Sequence, residues 1–166
     1  MKKSRLIFVV MFLVYGFLSM AGAQPANKPR VKLLGPAPDF ELIDIYQDTY
    51  TLSSYKNQQP VLLFFWTTWC PYCRRELNVL NNMYATLSKD GIEVLAINIG
   101  EVPSRVESFV KDYYLAYRVL LDKDTSVSNS YGVIGVPTYA LIDRSGNIVF
   151  QDNFFPRQEY KDLIAK

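Results

Sequence analysis

The chain contains no histidine and only two cysteines, and this shortage limits the chemistry that it can perform. Structural zinc is held by four ligands, commonly Cys or His, so these two cysteines cannot complete such a site within one chain. A zinc site would have to be shared between chains or use carboxylates, and we therefore expect no bound metal. The absence of histidine also excludes a Cys–His nucleophile pair within one chain.

The chain also has little net charge once its first residues are set aside. It contains 18 basic and 16 acidic residues, but residues 1–23 hold Lys2, Lys3 and Arg5 and no acidic residue. The rest of the chain therefore has 15 basic against 16 acidic residues. Nucleic-acid-binding domains concentrate positive charge on one face, so we expect no nucleic-acid partner.

Residues 1–23 have the pattern of an export signal. The three basic residues precede the apolar stretch Leu6–Leu18, and Ala21-Gly22-Ala23 forms a cleavage site of small residues. An uncleaved membrane anchor is the alternative, because residues 6–23 reach the lower limit of the length that spans a bilayer. In both cases we expect the following domain to be periplasmic or otherwise extracytoplasmic.

Both cysteines lie in the tetrapeptide Cys70-Pro71-Tyr72-Cys73, shortly after the apolar run Val61–Trp66. A disulfide between them would close a ring over two intervening residues. The stabilisation that a disulfide gives to a fold shrinks with loop length, so such a bridge would add little. The pair is better explained by redox chemistry, in which two neighbouring thiols close and reopen a disulfide.

Apolar residues recur at strand and helix spacings in turn, which is typical of a mixed-sheet α/β domain. We expect one domain at residues 33–166, preceded by a polar linker at 24–32. The predicted elements are a hairpin at 39–44 and 50–52, buried strands at 61–66 and 92–98, helices at 70–87 and from Pro103, a short strand at 118–121, a short helix at 125–131, a second hairpin at 138–142 and 148–150, and a last helix at 158–165.

The helix predicted after the first buried strand gives the two cysteines different roles. Cys70 falls in the first turn, where unpaired backbone N–H groups and the helix dipole favour a thiolate, so we expect its pKa to be low. Cys73 lies one turn deeper and would act as the resolving thiol. Arg74 and Arg75 add positive charge nearby, although solvated helix residues would explain them equally well.

Six short motifs, spread from Gly35 to the C-terminus, carry a family resemblance. They are Gly35–Phe40, Leu52–Lys56, Phe64–Cys70, Asn98–Glu101, Gly135–Thr138 and Asp143–Gly146. In this order and spacing they resemble the thioredoxin superfamily, and most closely its exported TlpA/ResA/DsbE(CcmG)-like thiol-disulfide oxidoreductases. The resemblance implies a thioredoxin fold, with a mixed central sheet flanked by helices and an added N-terminal β-hairpin. It also implies a redox-active disulfide as the only cofactor.

The resemblance extends to residues around the dithiol. Pro137 matches the family's cis-proline, which faces the two cysteines. Val136 would then offer its backbone to a partner segment as a neighbouring strand does. Trp69, Pro71 and Tyr72 lie beside the cysteines and are expected to contact the substrate.

Two acidic residues, Glu76 and Glu101, match carboxylates that ResA-like proteins carry near the active site. A carboxylate close to a thiol raises the pKa of the thiol and can also transfer protons. The alternatives are an exposed helical acid for Glu76 and a favourable charge at the start of the next helix for Glu101. Cytoplasmic thioredoxins have a buried Asp where this chain has Phe64, which makes a proton-transfer role for the two glutamates more attractive.

The resemblance implies a monomeric reductase of cysteine-containing proteins, supplied with electrons by a membrane thiol-disulfide carrier. Its substrates would be oxidised cysteine pairs, including the haem-attachment cysteines of apocytochromes c.

Three alternative functions stay open. The Pro71-Tyr72 dipeptide is more typical of glutaredoxins, so the chain could instead be a disulfide oxidase or isomerase. The motif Gly35–Phe40 also resembles peroxiredoxins, although Leu63 replaces their proline, and a non-catalytic binding module is the fourth possibility.

Overall fold

The computed structural model describes residues 34–165, so the predicted signal peptide or anchor at 1–23 and the linker at 24–32 lie outside the described residues. Within the described range, no helix is both long and apolar enough to cross a membrane. The elements are β1 (Gly35–Pro36), β2 (Glu41–Ile43), β3 (Thr49–Thr51), a 3₁₀ helix (Leu52–Tyr55), β4 (Val61–Trp66), α1 (Pro71–Lys89), β5 (Glu93–Ile99), α2 (Pro103–Tyr113), β6 (Arg118–Asp122), α3 (Ser126–Ser130), β7 (Thr138–Ile142), β8 (Asn147–Asp152) and α4 (Arg157–Ile164).

Six of the strands form one mixed sheet in the order β1-β8-β7-β4-β5-β6. Strand β4 runs parallel to β5 and antiparallel to β7. The helices cover the sheet on both sides, and the predicted mixed sheet flanked by helices is confirmed. The strand that leads into the cysteines therefore lies in the middle of the sheet.

The apolar sequence of β4 follows from this central position, because all six of its side chains are buried. Side chains alternate between the two faces of a strand, so a strand covered on both faces needs apolar residues throughout. Leu62, Phe64 and Trp66 pack in the cluster that contains Leu77 of α1 and Val106 of α2. The alternate side chains pack in a second cluster on the other face, and these are Val61, Leu63 and Phe65.

The predicted N-terminal hairpin is confirmed, with Glu41 opposite Thr51 and Ile43 opposite Thr49. Its second strand was expected to include Leu52, but Leu52 begins the 3₁₀ helix instead. Just after β2, Asp44 forms a bridge with Leu120 of β6. The hairpin is therefore attached to the outer strand of the sheet.

Candidate active site

Cys70 and Cys73 form a disulfide at the point where β4 gives way to α1, with their Cα atoms 5.2 Å apart. Cys70 was expected within the first helical turn, but it is the N-cap residue, with extended backbone angles of φ −83° and ψ 113°. The helix begins one residue later because Pro71 fits the first helical position, where its missing N–H costs nothing. The N–H of Cys73 donates a hydrogen bond to Cys70 Sγ at 3.1 Å. A thiolate at Cys70 would accept the same hydrogen bond.

The two cysteines differ in access to solvent. Cys70 retains 3% of its surface exposed, whereas Cys73 has none. The neighbouring Trp69 and Tyr72 are about two-thirds exposed, at 65% and 64%. A partner sulfur would therefore meet Cys70 before Cys73, among exposed aromatic side chains. Pro71 is also exposed, so all three expected substrate contacts beside the cysteines are accessible.

The loop before β7 faces Cys70. The peptide bond between Val136 and Pro137 is cis, and the carbonyl oxygen of Val136 lies 3.7 Å from Cys70 Sγ. In the disulfide this sulfur has no proton, so the two atoms are only in contact; a reduced Cys70 thiol could donate to the same oxygen. Asn153 holds this loop by a hydrogen bond, because its Nδ2 donates to the Pro137 carbonyl oxygen at 2.5 Å. Nothing in the sequence around Asn153 indicated this contact.

Glu101 is buried and is bonded to the loop that precedes the cysteines. Its Oε2 accepts hydrogen bonds from the Thr68 N–H at 2.6 Å and from Asn98 Nδ2 at 2.8 Å. Its Oε1 accepts from the Thr68 hydroxyl, also at 2.6 Å. Arg105, four residues on, lies 3.7 Å from Oε1 and is mostly exposed. Glu101 is therefore more than a favourable charge at the start of α2, because it fixes a residue two positions before Cys70.

Glu76 is half-buried on α1, one turn beyond Cys73. Its Oε2 accepts a hydrogen bond of 2.8 Å from the hydroxyl of Tyr139 on β7. Burial, and then this bond to Glu76, raise the pKa of Tyr139 far above that of a free phenol, so Tyr139 stays a donor. Glu76 also lines a surface cavity of about 450 Å³ together with Phe154 and Arg157. These contacts differ from those of a freely solvated helical acid.

The two arginines after Cys73 occupy different places. The Nε and Nη2 atoms of Arg74 donate to the carbonyl oxygen of Thr68, at 3.1 Å and 2.9 Å. The guanidinium of Arg75 lies over the ring of Tyr72, 4.7 Å from its centre. The sequence is compatible with two solvated arginines and contains no signal for the contact between Arg74 and Thr68.

Phe64 is fully buried and packs on Tyr139, with 4.6 Å between the ring centres. This is the position where cytoplasmic thioredoxins carry an acid, so the core beneath the dithiol is aromatic here. Across residues 34–165, no group of three or more His, Cys, Asp or Glu side chains is arranged to hold a metal ion.

Comparison with known proteins identifies the family. The model of the AhpC/TSA family matches residues 34–151. The thiol-disulfide oxidoreductase ResA of Geobacillus thermodenitrificans is 34% identical over 151 residues, which cover 89% of this chain and 86% of that protein. ResA of Bacillus subtilis is 34% identical over 155 residues, covering 90% and 86%. The chain belongs to the AhpC/TSA family and is a ResA-like thiol-disulfide oxidoreductase.

A solved structure supports the same placement within the thioredoxin superfamily. A Chlorobium tepidum protein assigned as the thiol:disulfide interchange protein DsbE superposes with a TM-score of 0.71 at 28% identity, covering 82% of this chain and 98% of that one. The resemblance to ResA/DsbE-like proteins is thereby confirmed, as is the expected enzyme class. The cysteine pair of this thiol-disulfide oxidoreductase is Cys70 and Cys73, which form a disulfide in the structure.

Proposed function

We propose that the protein reduces disulfides in cysteine-containing proteins outside the cytoplasm, with haem-attachment cysteines of apocytochromes c among its substrates. The observation that carries this proposal is the Cys70–Cys73 disulfide at the start of α1, in contact with the Val136 carbonyl. The export-signal pattern of residues 1–23 supports the location, and the ResA-like character supports the substrate class. A membrane thiol-disulfide carrier would return electrons to Cys70 and Cys73.

The reaction proceeds through two exchanges. The Cys70 thiolate attacks one sulfur of the partner disulfide, forming a mixed disulfide and releasing the partner's first thiolate, which takes up a proton. Cys73 then loses its proton and attacks Cys70 Sγ, which closes the internal disulfide and releases the second partner thiol. Two electrons pass from the protein to the partner. The N–H of Cys73 stabilises the thiolate in the first step.

The residues around the dithiol would bind the partner segment and exchange protons. The backbone of Val136, set by Pro137, lies where an extended partner segment could pair with it. The exposed Trp69, Pro71 and Tyr72 offer apolar contact to that segment. Glu76 has access to solvent and a hydrogen bond from Tyr139, so we assign it the exchange of protons with water. Glu101 would act on Cys70 through Thr68, whose N–H and hydroxyl donate to its two oxygens.

Replacement of the nucleophile tests the reaction. Cys70→Ser is expected to abolish the acceleration that the protein gives to insulin reduction by dithiothreitol, because no mixed disulfide can form at residue 70. The fold should persist, since a ring over two residues adds little stability. Insulin precipitation gives the rate and circular dichroism gives the melting temperature. Full activity in Cys70→Ser, at an unchanged melting temperature, would rule out the assignment of Cys70.

The direction of electron flow is tested by the equilibrium potential against glutathione. A reductase is expected to have a potential comparable with those of glutaredoxins and thioredoxin, about −200 to −270 mV. A potential near that of the strongly oxidising periplasmic catalysts, about −120 mV, would favour a disulfide oxidase instead.

The substrate is tested with Cys73→Ser, which leaves the mixed disulfide at Cys70 unresolved. A peptide with a C-x-x-C-H disulfide is expected to be captured by this variant and released by reductant. A matched peptide with a structural disulfide between distant cysteines is the control. Equal capture of both peptides would contradict a preference for haem-attachment cysteines.

A further inference from the structure

Thr68, two residues before Cys70, has every one of its polar groups bonded. It is buried, with 7% of its surface exposed. Its N–H and hydroxyl donate to the two oxygens of Glu101, and its carbonyl oxygen accepts from Arg74. Two side chains of opposite charge therefore hold Thr68. The carboxylate of Glu101 comes from the loop before α2, and the guanidinium of Arg74 comes from α1.

The bond from Arg74 depends on the shape of the guanidinium. Two N–H groups, on Nε and Nη2, converge on the single carbonyl oxygen of Thr68 at 3.1 Å and 2.9 Å. Arginine presents its donors in a rigid plane, so the two bonds fix the orientation of the acceptor as well as its distance. A lysine at the same position would keep the charge but would present a single compact ammonium group.

These bonds tie the start of α1 to the loop that precedes it. Arg74 lies four residues after Cys70, and its own N–H donates to the Cys70 carbonyl oxygen at 3.2 Å. Its side chain reaches back past Cys70 to Thr68. The N–H of Cys70 in turn donates to the Thr67 carbonyl oxygen at a longer 3.4 Å. Arg74 thus connects the segment from Thr67 to Cys70 to the first turn of α1 by hydrogen bonds.

We propose that Arg74 is a positioning residue for thiol–disulfide exchange, whose guanidinium acts with Glu101 to fix Thr68 and thereby the place of the Cys70 sulfur. The inference rests on the exchange reaction of Cys70 and Cys73, and it holds for either direction of electron flow. Closure of the ring needs the Cys73 sulfur to meet Cys70 Sγ in line. Small displacements of reacting atoms lower the rate of such intramolecular steps strongly.

A purely electrostatic role for Arg74 predicts a different result. A positive charge near a thiol favours its thiolate, so loss of the charge shifts the pH dependence of the reaction. Arg74→Lys keeps the charge and removes the planar pair of donors, whereas Arg74→Gln removes both. The comparison of these two variants separates position from charge, and neither should unfold the protein because Arg74 is exposed.

The experiment measures ring closure directly. Cys70 is converted to a mixed disulfide with glutathione, and the release of glutathione by Cys73 is followed as a function of pH. We expect both Arg74→Lys and Arg74→Gln to lower the plateau rate about tenfold. In Arg74→Lys the midpoint of the pH profile should stay at the wild-type value. Amide hydrogen exchange at the Thr68 N–H should become at least about tenfold faster in both variants.

Arg75→Gln is the matched control, because it removes the same charge one residue on while its guanidinium lies over Tyr72. Amide exchange at Thr68 should stay at the wild-type rate in this variant. A wild-type plateau in Arg74→Lys, with a change only in Arg74→Gln, would overturn the proposal in favour of charge. Wild-type plateaus in both would overturn it altogether. Failure of the reductase proposal would appear in the potential and not in these rate ratios.

Discussion

Glu101 is a carboxylate whose two oxygens accept three hydrogen bonds in a buried place, two from Thr68 and one from Asn98. A buried donor that loses its acceptor costs more free energy than the hydrogen bond itself contributes. The contribution of the hydrogen bonds of Glu101 can therefore be separated from that of its charge by replacing it with glutamine. A glutamine has one oxygen to accept from Thr68 N and Asn98, and its NH₂ can donate to the Thr68 hydroxyl.

Glu101→Ala is expected to lower the free energy of unfolding by about 3 kcal/mol, because it leaves the Thr68 N–H and the Asn98 amide without an acceptor. Glu101→Gln should cost about 1 kcal/mol or less, since it keeps the shape and the partners. Urea unfolding followed by circular dichroism measures both. Asp112→Ala, at an exposed acid of α2, is the control. Equal losses in the alanine and glutamine variants would show that the charge, and not the bonding, stabilises the loop.

Individual residues of the site were predictable from the sequence to different degrees. Cys70 and Cys73 follow from spacing, because the chain holds no other sulfur nucleophile. The hydrogen bonds of Thr68 could not be predicted in this way, because one partner, Glu101, lies 33 residues away along the chain. The other, Arg74, is close in sequence, but an exposed helical arginine usually points into water. The proton roles of Glu76 and Glu101 stay predictions.

At the scale of the element, the hairpin β2–β3 depends on one arginine of the neighbouring strand. Arg118 Nη1 lies 3.6 Å from Oδ2 of the buried Asp44 and also donates to the hydroxyl of Tyr50. Its guanidinium lies 3.9 Å from the centre of the Tyr50 ring. Asp44 follows β2 and Tyr50 belongs to β3, so Arg118 holds both arms of the hairpin against β6.

Arg118→Met is expected to lower the free energy of unfolding by about 2 kcal/mol, because it leaves the Asp44 carboxylate buried without its cation. Urea unfolding gives the loss, and Arg144→Met, at an exposed arginine, controls for the change of residue type. In the double variant Asp44→Asn/Arg118→Met the loss should be smaller than the sum of the single losses. Additive losses would mean that the two side chains contribute independently.

Long elements were predicted better than short ones, and the reason lies in where their partners are. Strand β4 and helix α1 show their own periodicity over many residues, so their bounds were found within two residues. Strand β1 has only two residues and pairs with Asn147 and Ile148, more than a hundred residues later. Leu52 fitted a period-two pattern, yet its backbone enters a 3₁₀ helix, because one apolar residue does not distinguish the two.

At the scale of the whole molecule, three buried tyrosines and the half-buried Tyr55 link stability to alkaline pH. Burial raises the pKa of Tyr55 to about 12, with the nearby Glu93 adding to the shift. Burial raises the pKa values of Tyr117, Tyr131 and Tyr139 further. In the unfolded chain each phenol has its ordinary pKa of about 10. The folded state therefore keeps protons that the unfolded state releases.

The sign of the pH dependence follows from these shifts. Below about pH 10 both states hold the phenol protons, so these tyrosines contribute no slope. As the pH rises above about 10, only the unfolded chain ionises, and the free energy of unfolding falls. Urea midpoints measured at rising pH should drop in this range, and unfolding should add tyrosinate absorbance beyond that of the folded protein at the same pH. Urea midpoints that stay constant as the pH rises above about 10 would contradict the burial of these phenols.

The attachment of the N-terminal segment at both borders of the main sheet has a further consequence. Pairing of β1 with β8 occupies one border, and the bridge from Asp44 to Leu120 occupies part of the other. Open borders of a sheet act as templates for intermolecular pairing, and a proline such as Pro36 at a border blocks it. Trp69 and Tyr72 are large exposed side chains beside Cys70, and exposed apolar surface favours association with other chains. The segment before β4 protects the protein from aggregation while the surface beside Cys70 stays open.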